Sequence, residues 1–146
     1  MHHSLIAPVG RLPQLVFHIQ EPDCNGYDFH YHQKDPREFL IGRFGPAWSE
    51  TNGVRIALQD SRVSLDHCRI FPHPQGHWMI EDLGSTNGTF IHAAHEDLNS
   101  WQQVTTPLRL PDRVFIRMGL TLLSLRPVTI APGPRRTWKT LTREAA

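Results

Sequence analysis

Cysteine is scarce in this chain of 146 residues, which contains only Cys24 and Cys68. Small secreted domains usually carry several disulfides, so two cysteines favour a reducing compartment, and we expect a cytoplasmic protein. Cys68 falls in a segment that alternates apolar and polar residues. We therefore expect it to behave as a small buried hydrophobic residue, with a disulfide to Cys24 as the less favoured alternative.

Long apolar runs and an excess charge of one sign are also lacking. No run approaches the length that crosses a bilayer, and the N-terminus lacks a secretory signal, so we expect no membrane partner. Residues 129–146 carry four basic residues and one acidic residue, a net of +3, and residues 1–128 carry 11 basic and 13 acidic residues, a net of −2. A nearly neutral body offers no basic surface, and we predict no nucleic-acid partner.

Turn-forming residues, by contrast, are frequent, with 12 prolines and 10 glycines. They favour short strands over helices. We predict a turn over 72–76 and, over 93–106, a loop carrying a short irregular strand. Alternating apolar and polar residues predict strands over 14–19, 27–32, 38–41, 54–58, 67–71, 77–82, 89–91, 108–110, 114–118 and 120–125. Strands this short, with turns this close together, indicate an all-β sandwich.

Three short polar clusters stand where predicted strands meet turns. The first is Gly42-Arg43, the second contains Ser64 and His67, and the third covers residues 84–88, with the sequence Gly-Ser-Thr-Asn-Gly. A guanidinium is well shaped to clasp a phosphate, while hydroxyl and amide groups add donors. Together these clusters predict a receptor for an anionic, hydrogen-bonding ligand.

In that order, the clusters resemble the sequence signature of the forkhead-associated (FHA) domain, which consists of GR, then SxxH, then a GSTNGTF-like run. Matching elements extend from about Val16 to about Leu125. The resemblance implies a two-sheet β-sandwich whose loops at one end bind phosphothreonine peptides. We expect an N-terminal arm over 1–12, the FHA domain over 13–128 and a flexible basic tail over 129–146.

The resemblance also implies which residues bind the ligand. The phosphopeptide-binding residues would be Arg43, Ser64, Leu65, Thr86 and Asn87. Arg43 and Ser64 would donate to the phosphate, Thr86 would lie near it, and the Asn87 amide would hold the peptide backbone. We expect the Arg43 guanidinium to be paired with nothing essential until a phosphate arrives.

Four further residues are expected to support the site. They are Gly42, His67, Gly84 and Gly88. By family analogy, His67 would brace the Ser64 loop through hydrogen bonds. The glycines would allow backbone conformations or clearances that a side chain forbids.

Two of the departures from the family pattern lie at or next to the expected binding residues. Leu65 stands where the family usually has a polar or basic residue, which predicts weaker phosphate binding or an apolar contact with the peptide. The interval from Arg43 to Ser64 is longer than usual, and the extra residues fall in 44–53, which includes Trp48. Trp48 would either line a pocket for a peptide side chain or anchor its own loop.

A metal site and an enzyme are the other readings of these residues. The pairs His30/His32 and His92/His95 have no convincing third ligand, and the cysteines do not form CxxC, so we expect no metal and no cofactor. The Ser64, Asp66 and His67 types would suit a hydrolase triad, but a triad needs groups from separate segments, aimed at one another. We therefore predict no enzyme.

Two function classes remain. The first is a phosphothreonine-peptide-binding adaptor in serine/threonine kinase signalling, with a phosphothreonine protein and a kinase among its partners. The alternative is an FHA-fold scaffold that binds protein partners independently of phosphate, through the Trp48 loop or a sheet face. Tail threonines Thr137, Thr140 and Thr142 are candidate phosphorylation sites, and a phosphorylated tail in the Arg43 site would cause self-association.

Overall fold

In the computed structural model, the described residues are 12, 14–24, 26–30, 37–45, 53–97 and 100–128. They form eleven strands and no helix, so no helix of this part is long and apolar enough to span a membrane. The strands are β1 (Gln14–Gln20), β2 (Tyr27–His30), β3 (Phe39–Arg43), β4 (Val54–Leu58), β5 (Cys68–His73), β6 (His77–Asp82), β7 (Thr89–Ala93), β8 (Gln102–Gln103), β9 (Leu108–Arg109), β10 (Val114–Met118) and β11 (Thr121–Val128).

The strands form two sheets that face each other. The larger sheet has the order β2-β1-β11-β10-β7-β8, and the smaller sheet has the order β4-β3-β5-β6-β9. β3 and β4 pair in parallel, from Phe39 with Val54 to Arg43 with Leu58. The other recorded pairings are antiparallel. The predicted all-β, two-sheet sandwich is confirmed.

The core lies between the sheets and takes every second residue of the central strands. Phe17 of β1 and Phe39 of β3 meet edge to face, with ring centroids 4.9 Å apart. Ile116 of β10 and Ile80 of β6 are fully buried in the same cluster. Burying each such side chain contributes roughly 1.5–3 kcal/mol, which is why the period-2 pattern determines which face of each strand points inward.

Most strand predictions agree with the structure to within a few residues, and the turn predicted over 72–76 is the clearest exception. Pro72 lies inside β5, opposite Trp78 of β6. The pairing of β5 with β3 ends at Ile70, so Pro72 stands where β5 has an open edge and its missing N–H leaves no ladder bond unmade. Cys68 is fully buried in the core, and this burial raises the pKa of its thiol, as expected for an inert cysteine.

The topology gathers several connections at one end of the sandwich. β3 and β4 are parallel, so their last residues, Arg43 and Leu58, reach the same end. Cys68 at the start of β5 pairs with both Ile41 and Asp82, which brings the 59–67 and 83–88 loops to that end as well. Thr89 pairs with Met118, so the turn at 119–120 joins them. The predicted arm (1–12, apart from Leu12), residues 46–52 with Trp48, and the tail (129–146) lie outside the described residues.

Candidate functional site

Ser64 is the point at which the three sequence clusters meet. Its carbonyl oxygen accepts a hydrogen bond from the Arg43 backbone N–H at 2.9 Å. Its Oγ accepts one from the Thr86 backbone N–H at 3.1 Å, and its own N–H donates to Nδ1 of His67 at 3.0 Å. Because Oγ is used here as an acceptor, its O–H proton stays available to a ligand.

Arg43 is held in place before any ligand arrives. Its Nε–H donates to the Val63 carbonyl oxygen at 3.0 Å. This contact corrects the expectation that the side chain has no essential partner, since it fixes the orientation of the guanidinium beside the Ser64 loop. A pre-oriented fork loses less side-chain entropy when it binds an anion.

Gly42 is required because two backbones approach closely. A Cβ at this position would lie 1.8 Å from the Leu65 carbonyl oxygen, far inside van der Waals contact. The strand end that carries Arg43 therefore packs directly against the Ser64–Leu65 backbone. The expected clearance role of Gly42 has a specific geometric cause in this contact.

His67 bridges two loops from inside the fold. Its side chain is fully buried, Nδ1 accepts from the Ser64 N–H, and Nε2 lies 2.9 Å from the Gly88 carbonyl oxygen. These partners assign Nε2 as the protonated nitrogen, because a carbonyl only accepts and a backbone N–H only donates. Burial lowers the pKa of His67 despite the opposing Gly88 bond, so the imidazole is neutral at pH 7.

Asp82 organises the loop between β6 and β7. Its Oδ2 accepts from the Gly84 and Ser85 backbone N–H groups at 3.1 and 3.0 Å. Its Oδ1 accepts from the hydroxyls of Ser85 and Thr89, both at 2.6 Å. Burial opposes its ionisation, but the Ser85 and Thr89 bonds outweigh burial and lower the pKa of Asp82. Gly84 and Gly88 take positive φ values of 77° and 86°, which a side chain would disfavour.

Asn87 and Thr86 are exposed at the tip of that loop. The Asn87 Nδ2 group donates to the Arg62 carbonyl oxygen at 2.8 Å, which joins this loop to the 59–67 loop. In the described part of the chain, the Asn87 side-chain oxygen makes no hydrogen bond and stays available to a peptide backbone. The Arg62 side chain is exposed and adds a second cation at this end.

Asp60 ties the 59–67 loop to the turn at 119–120. This buried carboxylate accepts from the Leu120 N–H at 2.8 Å and from the Thr121 hydroxyl at 2.7 Å. Its other oxygen accepts from the Arg62 N–H at 2.9 Å. Burial disfavours the ionised form, yet these hydrogen bonds prevail and the net pKa of Asp60 is lowered. The Asp60 carboxylate therefore holds the 59–67 loop to the turn at 119–120.

The sequence analysis overlooked Asp60, Arg62 and Asp82. Asp60 and Asp82 do have a local sequence signal. Each aspartate stands two residues before a turn residue whose backbone N–H can donate a hydrogen bond to the carboxylate. The partners of Asp60 at Leu120 and Thr121 are 60 and 61 residues away in the chain, and no local pattern predicts them. Leu65, which was predicted to contact the ligand, is half-buried beside Gly42.

Most cavities found among the described residues lie away from Ser64. Three of them share Arg109 and Pro111 in their lining, and one of the three is also lined by His77. A fourth is a cleft lined by Glu21, Asp23, Cys24 and Gln59, which adjoins the 59–67 loop. β6 runs from His77 to Asp82, so the main cavities are at the opposite end of the sandwich from Ser64. The candidate site is an exposed loop surface, the shape that suits an extended peptide rather than an enclosed small molecule.

Comparison with known proteins identifies the family. The model of the FHA domain matches residues 39–119, which is more than half of the chain. The chain belongs to the FHA family. The matched range contains every residue that the sequence analysis assigned to the candidate site, and the sandwich has the fold that FHA membership implies.

Relatives carry the FHA domain within longer chains. Over 88 residues, this chain is 38% identical to the FHA domain-containing protein FhaB of Mycolicibacterium smegmatis, a match that covers 60% of this chain and 46% of FhaB. It is 36% identical over 67 residues to the FHA domain-containing protein At4g14490 of Arabidopsis thaliana, covering 46% of this chain and 16% of that protein. The matches thus span less than half of these relatives.

Solved FHA domains share the fold. The solution structure of an FHA domain from a hypothetical Arabidopsis thaliana protein matches with a TM-score of 0.58 and 25% identity, covering 86% of this chain and 92% of that one. An FHA domain solved in a study of phosphothreonine-dependent FHA domain interactions matches with a TM-score of 0.53 and 22% identity, covering 80% of this chain and 99% of that one. At 22% identity, the second likeness supports the fold alone.

Proposed function

We propose that this FHA domain binds phosphothreonine in proteins and peptides through the loop end that carries Arg43, Ser64, Thr86 and Asn87. The observation that carries the proposal is the Ser64 junction, where one residue joins Arg43, Thr86 and His67 through three hydrogen bonds. The Arg43 Nε bond to the Val63 carbonyl oxygen brings the guanidinium to the same loop as the Ser64 hydroxyl, and both residues are partly exposed. Such a group of charge-assisted donors suits the three oxygens of a phosphate monoester.

The biological setting is part of the proposal. We place the protein in serine/threonine kinase signalling, as an adaptor without enzymatic activity, acting in the cytoplasm on phosphorylated proteins that include a kinase. Membership of the FHA family is the observation from which we propose this setting. Ser64, Asp66 and His67 give no reason to propose hydrolysis, because His67 accepts from the Ser64 backbone N–H rather than from its hydroxyl.

The decisive experiment selects a peptide and then removes Arg43. A degenerate phosphothreonine peptide library is bound before and after phosphatase treatment, and the selected peptide is titrated by calorimetry. Charge-assisted hydrogen bonds contribute about 1.5–3 kcal/mol each, so Arg43→Ala should weaken binding by about tenfold or more. Arg43→Lys should restore only part of the loss, since an ammonium keeps the charge without the fork.

Two controls make the result interpretable. Arg109→Ala removes an exposed arginine of β9, outside the loop end, and should leave the affinity unchanged. Affinity for the selected peptide should also fall below about pH 6, where the phosphate loses its second charge. Equal affinity of wild type and Arg43→Ala would refute the proposed site.

The alternative function is a scaffold that binds its partners without phosphate. It is favoured by Leu65, whose half-buried apolar side chain offers no donor where the family usually has a polar residue. This alternative would be supported if the domain selected the same peptides from the library before and after phosphatase treatment. Leu65→Lys, which adds a donor at the same position, should strengthen phosphopeptide binding if the first proposal holds.

A further inference from the structure

The outer face of the larger sheet carries aromatic and basic side chains that do not contribute to the core. On β7 and β10, the outward residues pair directly, Phe90 with Arg117 and His92 with Phe115. Arg117 also pairs with Leu122 of β11. We name this group the outer aromatic patch, and its members are Phe90, His92, Trp101, Phe115, Arg117 and Leu122.

Arg117 is held on this face by aromatic rings. Its guanidinium carbon lies 4.9 Å from the centroid of the Phe90 ring and 4.7 Å from the centroid of the Trp101 ring. Within the described part of the chain it makes no salt bridge, and it is exposed. An exposed arginine positioned by two rings, next to a leucine that is 37% exposed, has the composition of a protein-binding hot spot.

His92 lies beneath this arrangement and is itself unsatisfied. Its side chain is 2% exposed, and neither ring nitrogen has a hydrogen-bond partner in the described part of the chain. It packs between Trp101, at 5.3 Å between centroids, and Phe115, at 6.0 Å. Burying an unpaired polar group opposes folding, so stability alone does not account for a histidine here.

The two sheets differ in how the arginines on their outer faces are paired. On the smaller sheet, Arg55 is paired with Asp66 at 3.2 Å, and Arg69 with Glu38 at 2.8 Å and with Glu81 at 2.6 Å. Arg109, on the edge strand β9 of that sheet, is exposed and forms no salt bridge within the described residues. On the larger sheet, Arg117 and Arg126 are exposed and form no salt bridge within the described residues. The acidic residue on the strands of the larger sheet, Asp28 of β2, has its Oδ1 2.6 Å from Nδ1 of His18. The surface that complements this face is therefore acidic.

Other occupants fit less well. The chain's own tail has a net charge of +3 and would be repelled, and a second copy would bring the same basic face. The rings of Phe90 and Trp101 already contact a guanidinium and are not open platforms for bases, which disfavours nucleic acid.

The patch also adjoins the candidate peptide site. A Cβ on Gly88 would lie 3.1 Å from the Phe90 ring, so the loop of Thr86 and Asn87 leads directly onto this face. We propose that the outer aromatic patch is a second docking surface, which contacts an acidic, apolar region on the folded body of the same protein whose phosphothreonine segment occupies the Arg43 site. The inference rests on the proposed function for the identity of this partner.

The test compares a whole partner with its phosphopeptide. Phosphoproteins are captured on the full chain from lysate, with phosphatase-treated lysate as the control, and the most abundant one is purified in its phosphorylated form. Calorimetry then measures that protein and its synthetic phosphothreonine peptide against wild type, Arg117→Glu and the matched charge reversal Arg109→Glu. Circular dichroism checks that each variant is folded.

The inference predicts that wild type binds the whole phosphoprotein about tenfold more tightly than the peptide, and that Arg117→Glu abolishes this gain while peptide affinity is unchanged. Arg109→Glu should change neither value. The inference would be overturned if wild type bound the phosphoprotein and the peptide with equal affinity. It would also be overturned if Arg117→Glu still bound the phosphoprotein about tenfold more tightly than the peptide. The Arg43→Ala variant tests the proposed function separately. If it loses peptide binding while Arg117→Glu keeps the full gain, the proposed function holds and only the second docking surface is refuted.

Two further measurements address the other occupants of the patch. Binding of a short single-stranded oligonucleotide that Arg117→Glu abolishes would overturn the inference in favour of nucleic acid. A dimer in sedimentation velocity that Arg117→Glu abolishes would overturn it in favour of a second copy.

Discussion

At the scale of single residues, His67 has the most consequential environment at the candidate site. It is the residue through which the Ser64 backbone and the Gly88 carbonyl are held together, and both contacts require the neutral imidazole with the proton on Nε2. Protonating Nδ1 would replace the acceptor for the Ser64 N–H with a second donor. The local structure of the Ser64 loop is therefore linked to the protonation of one buried ring.

His67 predicts how stability depends on pH. Because burial lowers its pKa, the unfolded chain binds a proton at His67 more readily than the folded chain, and stability should fall as pH decreases below about 6.5. His67→Gln should be less stable at pH 7.5 but show a shallower loss between pH 6.5 and 5. Urea unfolding across this range measures the effect, and His95→Gln, on an exposed loop, should keep the wild-type slope. A wild-type slope in His67→Gln would contradict the assignment.

His67→Ala should also weaken the site itself. Removing the ring leaves the Ser64 N–H and the Gly88 carbonyl without their partner, at a cost of about 1–3 kcal/mol. We expect a lower melting temperature together with weaker binding of a selected phosphothreonine peptide. An unchanged melting temperature with abolished binding would instead make His67 a direct ligand contact.

At the scale of elements, the site depends on β3 and the Ser64–Leu65 backbone being in contact. Gly42→Ala places a methyl group 1.8 Å from the Leu65 carbonyl oxygen, so β3 or the 59–67 loop must shift. A suitable comparison is Gly84→Ala, where φ is +77° but no atom lies within 4 Å of the added Cβ. The comparison variant should cost about 1–2 kcal/mol from backbone strain alone, and Gly42→Ala should cost more. Chemical denaturation of both variants measures the difference, and equal losses would contradict the close contact.

The loop from β6 to β7 gives a second prediction at this scale. Asp82→Asn exchanges one acceptor oxygen for an NH₂ group that faces N–H or O–H donors, so we expect a loss of about 1–3 kcal/mol and a disordered Thr86–Asn87 tip. Asp112→Asn, an exposed carboxylate outside this loop, is the control. Because the pKa of Asp82 is lowered in the fold, its contribution in wild type should be lost as pH falls below about 4. Amide hydrogen exchange at Ser85 and Gly88 would detect the disorder.

At the scale of the whole molecule, the tail tests self-association. Thr137, Thr140 and Thr142 lie in a basic segment outside the described residues, and we propose that a kinase phosphorylates one of them. If the Arg43 site binds phosphothreonine, the phosphorylated chain should then occupy its own site or that of a neighbour. We expect the phosphorylated chain to bind a competing phosphopeptide more weakly or to have a larger mass in solution. Arg43→Ala should return the mass of the phosphorylated chain to that of the monomer. Unchanged affinity and unchanged mass after mapped phosphorylation would refute this proposal.

By itself, the sequence determined the all-β class and most strand positions, and it predicted the candidate-site residues that lie in the three polar clusters. Period-2 alternation is a local property, and the GR, SxxH and GSTNGTF-like clusters lie in continuous stretches, so both can be read without knowing what they contact. Pro72 shows the limit, because its place in β5 depends on β3 having stopped pairing at Ile70. Whether a proline is tolerated in a strand depends on the neighbouring strand.

Only the tertiary structure decided how the site residues are connected. The Ser64 junction with Thr86, the anchoring of Arg43 on Val63 and the reach of Asp60 to Thr121 join segments 22, 20 and 61 residues apart. Such bonds exist because the parallel β3–β4 pair and the antiparallel β5–β6 pair bring their loops to the same end. The outer aromatic patch has the same origin: β7, β10 and β11 are neighbours in the sheet, and this alone places Phe90, Arg117 and Leu122 in one row.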